Sequence, residues 1–369
     1  MIPVNEPLLD GNEKRYLAEC IESGWISSEG PFVRRFEQEF ADRCERKYGT
    51  AVANGTAALQ LAVEALGIGA GDEVILPSFT IISCAAAIVR AGAIPVPVDC
   101  DAMTWNITAD YIEAKITPRT RAIMVVHMYG LPADMDSIMK LANRHGIDVI
   151  EDAAHVHGHR YKNQACGSFG RVSTFSFYPN KIVTSGEGGM VLTDDETVND
   201  QVRSRMNLCF RPEQRFNHEE LGWNYRLSNL QAAVGLAQLE QLDRFLQIKK
   251  RIGNLYQQGL KDIPGIQLPP LKTEYADNVY WVFGLVVEEG ASAEPDTVVK
   301  ALAEAGIGTR PFFWPIHEQP VFTRQGMFSD INCPNAERIA RRGFYLPSGL
   351  ALTEEQQAVV IDTLNMVLA

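Results

Sequence analysis

Apolar residues recur along this chain in two different rhythms. Over 12–24 and 31–48 they return every three or four positions, the stripe of an amphipathic helix. Between these two segments lies Gly24-Trp25-Ile26-Ser27-Ser28-Glu29-Gly30-Pro31, an irregular link rich in turn formers. From residue 50 onward short apolar runs alternate with helical stripes. The pattern predicts strands at 50–53, 73–76, 94–98, 122–127 and 147–151, with helices at 56–66, about 80–91, 108–115 and 134–145. Such alternation builds a mostly parallel sheet with helices on both faces. Segments 172–177 and 189–193 read as two further strands, separated by Ser185-Gly186-Glu187-Gly188-Gly189.

Residues 228–260 are nearly free of helix breakers, and Leu230, Val234, Ala237, Leu239 and Leu242 recur at helical spacing. They predict one linking helix of about 50 Å. After Pro264-Gly265 the pattern changes to a strand at 279–287, a helix at 295–305, a strand at 308–313 and a last helix at 353–367. A chain of 369 residues exceeds what one core usually serves. We expect a large α/β unit over 12–240 and a smaller C-terminal α/β unit over 241–369.

The formal charge of −12, with no block of lysine or arginine, argues against a nucleic-acid surface. It also means that a phosphorylated ligand needs local positive charge or backbone donors. The most apolar stretch, Ile81 to Val98, contains Arg90, Pro95 and Pro97, and reads as helix, turn and strand rather than a membrane span. The opening residues show no basic leader, and the seven scattered cysteines form no C-x-x-C pair; both point to a reducing cytoplasm.

Three places carry candidate chemistry. Asp152 ends the apolar run Ile147–Glu151, and ligands of parallel sheets bind beyond the carboxyl ends of the strands. A carboxylate there can hold the protonated nitrogen of a pyridine ring, or it can simply cap a helix. Lys181 follows another strand and the turn Tyr178-Pro179-Asn180. It reads either as a solvated surface lysine or as an amine that bonds to a cofactor aldehyde and then shuttles protons. Asn54-Gly55-Thr56-Ala57 joins strand to helix, so the backbone donors of Thr56 and Ala57, with the Ser176 hydroxyl, can form a phosphate cup. Neither G-x-G-x-x-G nor G-x-x-x-x-G-K-[ST] occurs at this turn. His155, His157 and His159 alternate, yet no H-E-x-x-H or cysteine partner supports them, and we assign no metal. Ser176 lacks the G-x-S-x-G elbow of a hydrolase nucleophile.

Taken in order, these segments resemble the sugar aminotransferases of the DegT/DnrJ/EryC1/StrS family, which have the aspartate-aminotransferase fold (fold type I). The resemblance spans nearly the whole chain. It runs from Ser23–Gly30 through Asn54–Leu59, Glu151–Ala154, Ser173–Lys181 and Gly186–Gly189 to Gly222–Ala233. It implies pyridoxal 5'-phosphate as cofactor, cycling through pyridoxamine phosphate. Lys181 would bond to the cofactor aldehyde and Asp152 would hold the ring nitrogen, while Thr56, Ala57 and Ser176 would bind the phosphate. Asn224 would reach the phosphate of a neighbouring subunit, making the active unit at least a homodimer, with a tetramer left open. Related dehydratases carry histidine in place of the lysine, so Lys181 favours amino transfer.

Two positions depart from the family pattern. His155 stands where many relatives have glutamine or glutamate near the ring's phenolic oxygen. Ile81 stands where many have the aromatic that stacks on the ring, with Phe79 as the candidate substitute. Phe312–Pro320, Phe210–Glu213 and Phe216–Arg226 look like the branch that converts GDP-4-keto-6-deoxy-D-mannose to GDP-perosamine with L-glutamate as donor and 2-oxoglutarate as product. On that resemblance His317, Trp314, Phe313, Arg226 and Trp25 are candidates for binding the substrate. The alternatives are a UDP- or dTDP-linked keto-sugar, or a cofactor-binding regulator or scaffold without turnover.

Overall fold

The computed structural model describes residues 1–211 and 213–368. Pro212, within the Phe210–Glu213 stretch, and Ala369, the last residue of the expected C-terminal unit, lie outside the described residues.

In the large sheet β1 (Tyr48–Val52), β2 (Glu73–Pro77), β3 (Ile94–Val98), β4 (Thr120–Val126) and β5 (Asp148–Asp152) follow the predicted order. A short hairpin of β6 (Arg160–Tyr161) and β7 (Gln164–Ala165) stands outside it, and β8 (Val172–Ser176) and β9 (Gly189–Thr193) complete the sheet. The spatial order is β1-β9-β8-β5-β4-β2-β3. The β2–β3, β2–β4, β4–β5 and β5–β8 pairs are parallel, whereas β9 runs antiparallel to β1 and β8. β2 is buried along its whole length and β4 nearly so, as their unbroken apolar runs require of strands covered on both faces. Pro95 and Pro97 lie in β3, at the sheet's edge, where a missing donor costs least.

This topology aligns three chain segments. β5 and β8 are parallel neighbours with Asp152 opposite Thr174, so both end at one edge of the sheet. β1 is antiparallel to β9, which is antiparallel to β8; β1 therefore points the same way and delivers Asn54 and Gly55 to that edge.

Several elements differ from expectation. The predicted linking helix over 228–260 is two helices, Asn229–Leu239 and Leu242–Leu260. The first opens with a capping box between Ser228 and Gln231. At the break, the Gln241 N–H bonds to the Gln238 carbonyl, and the Glu240 carboxylate is held by the Tyr16 hydroxyl and the Asn12 amide. Helix Glu196–Met206, whose buried side is carried by Val198 and Val202, helix Pro334–Arg342 and strand Gly343–Leu346 were not predicted. The strand expected over 279–287 shrinks to Phe283–Val287, because Tyr280 takes a φ of 52° and turns the preceding residues out of the sheet. The strand expected over 308–313 shrinks to Arg310–Pro311. The C-terminal sheet is antiparallel, with Ile266–Gln267, Phe283–Val287, Gly343–Leu346 and Arg310–Pro311 in that spatial order.

The main core lies against the large sheet, and a second one gathers Ile252, Tyr256, Phe283, Val298 and Leu364. The first residues of the chain run to this second part: Ile2 bridges to Ile307, and Val4 accepts from the Ser348 N–H. No helix among the described residues is long and apolar enough to cross a membrane.

Candidate active site

Beyond the aligned strand ends lies a cavity of about 580 Å³, within the range of small-ligand sites. Asp152, Lys181, Ser176, Thr56 and His155 all line it. The Asp152 carboxylate is buried, and among the described residues it meets two weak donors, the Ala154 N–H at 3.2 Å and the Cys84 thiol at 3.5 Å. Burial raises its pKa, against the opposing pull of the Ala154 N–H and of Lys181. Lys181 is partly reachable by water, yet protein surrounds its amine, and this desolvation lowers the pKa to about 7 despite the Asp152 charge. Burial therefore outweighs the attraction between the two groups. A protonated ring nitrogen facing Asp152 would supply the cation that this carboxylate lacks. The cavity fits a pyridine cofactor on that ground.

A second corner fits its phosphate. Asn54 caps helix Gly55–Ala65, accepting the Ala57 N–H at 2.8 Å. The expectation that Ala57 offers a free donor is thereby corrected, because that N–H is already engaged by the cap. The N–H groups of Gly55 and Thr56 have no partner among the described residues, and the macrodipole adds its positive end. The Thr56 hydroxyl lies 2.9 Å from that of Ser83. Gly55 is needed for close approach, since a Cβ there would sit 2.7 Å from Cβ of Ser176.

His155 lines the cavity and is otherwise enclosed. Its Nδ1 stands 3.2 Å from the His127 carbonyl; a carbonyl only accepts, so Nδ1 carries the proton. Burial, then the nearby Lys181 charge, pushes this imidazole's pKa well below the usual histidine range. The ring is thus neutral and its Nε2 is an acceptor. It stacks on Trp281, with centroids 3.7 Å apart and planes at 13°. Trp281 also places its ring face 3.7 Å from Lys181 Nζ. Sequence reasoning missed Trp281, which was hidden in an apolar run that read as strand. It also missed Asn180, Tyr178, Ser83 and Glu187 on the cavity wall.

Other expected site residues fall elsewhere. Phe79 is fully buried among Tyr129, Phe312 and Phe313, a core aromatic, and Ile81 lines the cavity instead. Phe313 does line the cavity. His317 is buried between the Ser78 hydroxyl at 2.7 Å and Glu337 at 3.2 Å, which makes it an internal latch. Trp314 is exposed beneath the Arg341 guanidinium, and exposed Trp25 gives its carbonyl to the Asn229 amide. Arg226 bonds to Asn207 and Asn224 pairs with Asn207; neither lines the cavity, although Tyr225 between them does. His155, His157 and His159 do not converge: they bond to the His127 carbonyl, the Val183 N–H and the Asp277 carbonyl, respectively.

The pattern of the DegT/DnrJ/EryC1/StrS aminotransferase family matches residues 7–365. A GDP-perosamine synthase of Caulobacter vibrioides is 43% identical over 367 residues, covering all of this chain and 98% of the relative. A GDP-perosamine synthase of Escherichia coli O157:H7 is 40% identical over 364 residues, 99% of this chain and 98% of the relative. The crystal structure of S. venezuelae DesV in complex with a ketimine intermediate is 37% identical and aligns with a TM-score of 0.89, covering 96% of this chain and 94% of the other.

Proposed function

The chain belongs to the DegT/DnrJ/EryC1/StrS aminotransferase family and is a pyridoxal-phosphate-dependent nucleotide-sugar aminotransferase; from that premise we propose its substrates. In our reading it moves the amino group of L-glutamate to C4 of GDP-4-keto-6-deoxy-D-mannose, giving GDP-perosamine and 2-oxoglutarate. Two relatives named for this product, similar over almost their full lengths, support the sugar. The observation that carries the chemistry is the meeting of Lys181 and Asp152 in one cavity.

Bound pyridoxal phosphate supplies an aldehyde that accepts the amino group and a ring that spreads the electron pair left on the donor's alpha carbon. Asp152 keeps a proton on the ring nitrogen, so that the ring can take up this charge. The Gly55 and Thr56 N–H groups and the Ser176 hydroxyl hold the phosphate. With the cofactor bound, the Lys181 amine would take the proton from the donor's alpha carbon and hold it for return. With a pKa of about 7 its neutral and charged forms are both accessible near neutral pH. The division into units over 12–240 and 241–369 belongs to this reading, supported by a second core whose buried residues all fall in 241–369, while the main core also takes in Trp281, Phe312 and Ile339 from that part. So does a homodimer in which Asn224 serves the neighbouring site, supported by exposed Trp25, Phe216 and Leu221. Action in the cytoplasm, away from nucleic acid, is supported by buried free cysteines and the acidic charge.

The test is to supply the holoenzyme with L-glutamate and GDP-, UDP- or dTDP-linked 4-keto-6-deoxy sugars in turn, reading amino-sugar and 2-oxoglutarate by mass spectrometry. Preferred conversion of the GDP-mannose derivative supports the proposal, and preference for another nucleotide overturns it. Lys181→Ala should cut turnover about 10²–10⁴-fold. Borohydride should fix cofactor on the peptide bearing residue 181 only in the wild type. Cofactor fixed on another lysine would reassign the role.

A further inference from the structure

Trp281 is held from three directions. Its indole Nε1–H donates to the carbonyl of Asn180, the residue before Lys181, at 2.7 Å. Its ring stacks on His155. Its own carbonyl accepts from Lys249 Nζ at 2.6 Å, and Lys249, buried on helix Leu242–Leu260, spends a second proton on the Ser348 carbonyl. Ser348 in turn accepts the Phe283 N–H at the start of the second sheet's longest strand. Main chain and side chain of Trp281 are therefore both fixed before any ligand arrives.

The face so fixed is turned to the Lys181 amine, 3.7 Å from the ring centroid. A lysine stem has many rotamers, and an amine released from a cofactor would be free to leave the reacting atoms. An indole face attracts an ammonium more than it attracts a neutral amine. Asp152 and Cys84 also favour the ammonium form, while burial opposes it; charge on His155 or His157 would oppose it too.

We infer that Trp281, anchored by Lys249, is a positioning residue that holds the free amine of Lys181 in the cavity and stabilises its protonated form. This rests on Lys181 being the cofactor amine. It adds that the proton this amine returns to a substrate is retained partly by a ring from outside the large sheet.

The test reads the amine itself. Full-length protein freed of cofactor is briefly methylated with formaldehyde and borohydride over a pH series, and mass spectrometry compares Lys181 with exposed Lys300. The wild-type midpoint is expected at about 7. Trp281→Leu should lower it by roughly 0.5–1 pH unit, and Trp281→Phe by less, because phenyl keeps a weaker face than indole and leucine keeps none. An unchanged or raised midpoint in Trp281→Leu overturns the inference. If that variant does not fold, an unchanged midpoint in Trp281→Phe does so. No sugar or cofactor is present, so an error in the proposed substrate leaves this result untouched, and an error in the cofactor lysine is exposed by the borohydride mapping.

Discussion

At Asp152 two requirements conflict. The carboxyl must be ionised to hold a ring proton, yet burial raises its pKa and, among the described residues, two weak donors touch it. The conflict resolves when the carboxylate faces a cation, which Asp152→Asn cannot do. That variant should still bind pyridoxal phosphate but release 2-oxoglutarate about 10²–10³-fold more slowly in a single turnover with glutamate. A near-normal rate would remove Asp152 from the reaction. Residues of this kind were legible from sequence because each sits at the end of a strand whose apolar pattern is strong. Trp281 was not, since an apolar aromatic in Val279–Val287 gives no sign that a φ of 52° at Tyr280 will turn it toward the cavity. His317 misled for the opposite reason: a polar ring in a loop looks exposed until Ser78 and Glu337 close around it.

Among the elements, helix Gly55–Ala65 and β8 must nearly touch for one phosphate to bridge them. Their closeness is set by what Gly55 lacks. Gly55→Ala would place a methyl 2.7 Å from Ser176 Cβ, pushing the helix N-terminus off the strand. Overpacking of this kind should weaken cofactor affinity by about 10-fold or more, measured by titrating cofactor-free protein with pyridoxal phosphate. Unaltered affinity would mean that the phosphate sits elsewhere. The succession of strands and helices and the mostly parallel pairing were readable from their alternation along the chain, whereas the antiparallel place of β9 between β1 and β8 was not. The split near Gln241 was not. No glycine or proline marks it, and Glu240 is drawn out by Tyr16 and Asn12, more than two hundred residues away in sequence. Helix Glu196–Met206 escaped because few apolar residues mark its buried side.

Across the whole molecule, the two cores meet around a buried charge. Lys249 joins helix Leu242–Leu260, the Trp281 turn and the end of strand Gly343–Leu346 through two carbonyls, and desolvation lowers its pKa from 10.5 to about 7. Unfolding returns the amine to its ordinary value. Between about pH 7 and 10.5 the unfolded chain therefore binds a proton that the folded chain does not, and stability rises with pH across that window. Below it both states are protonated and the full penalty of burying the ammonium remains. Lys181 adds a parallel contribution only while the cofactor is absent, so the holoenzyme isolates Lys249. Comparing denaturant unfolding of wild type and Lys249→Met over this range should show wild type gaining on the variant as pH rises. The gain should be at most about 1.4 kcal/mol per pH unit, the value of one proton. Lys249→Met also strands two buried carbonyls, but that loss carries no proton and is the same at every pH. A difference that stays flat from pH 7 upward would show that this amine keeps its charge inside the fold, and that the two parts are fastened by an ammonium rather than by a neutral amine.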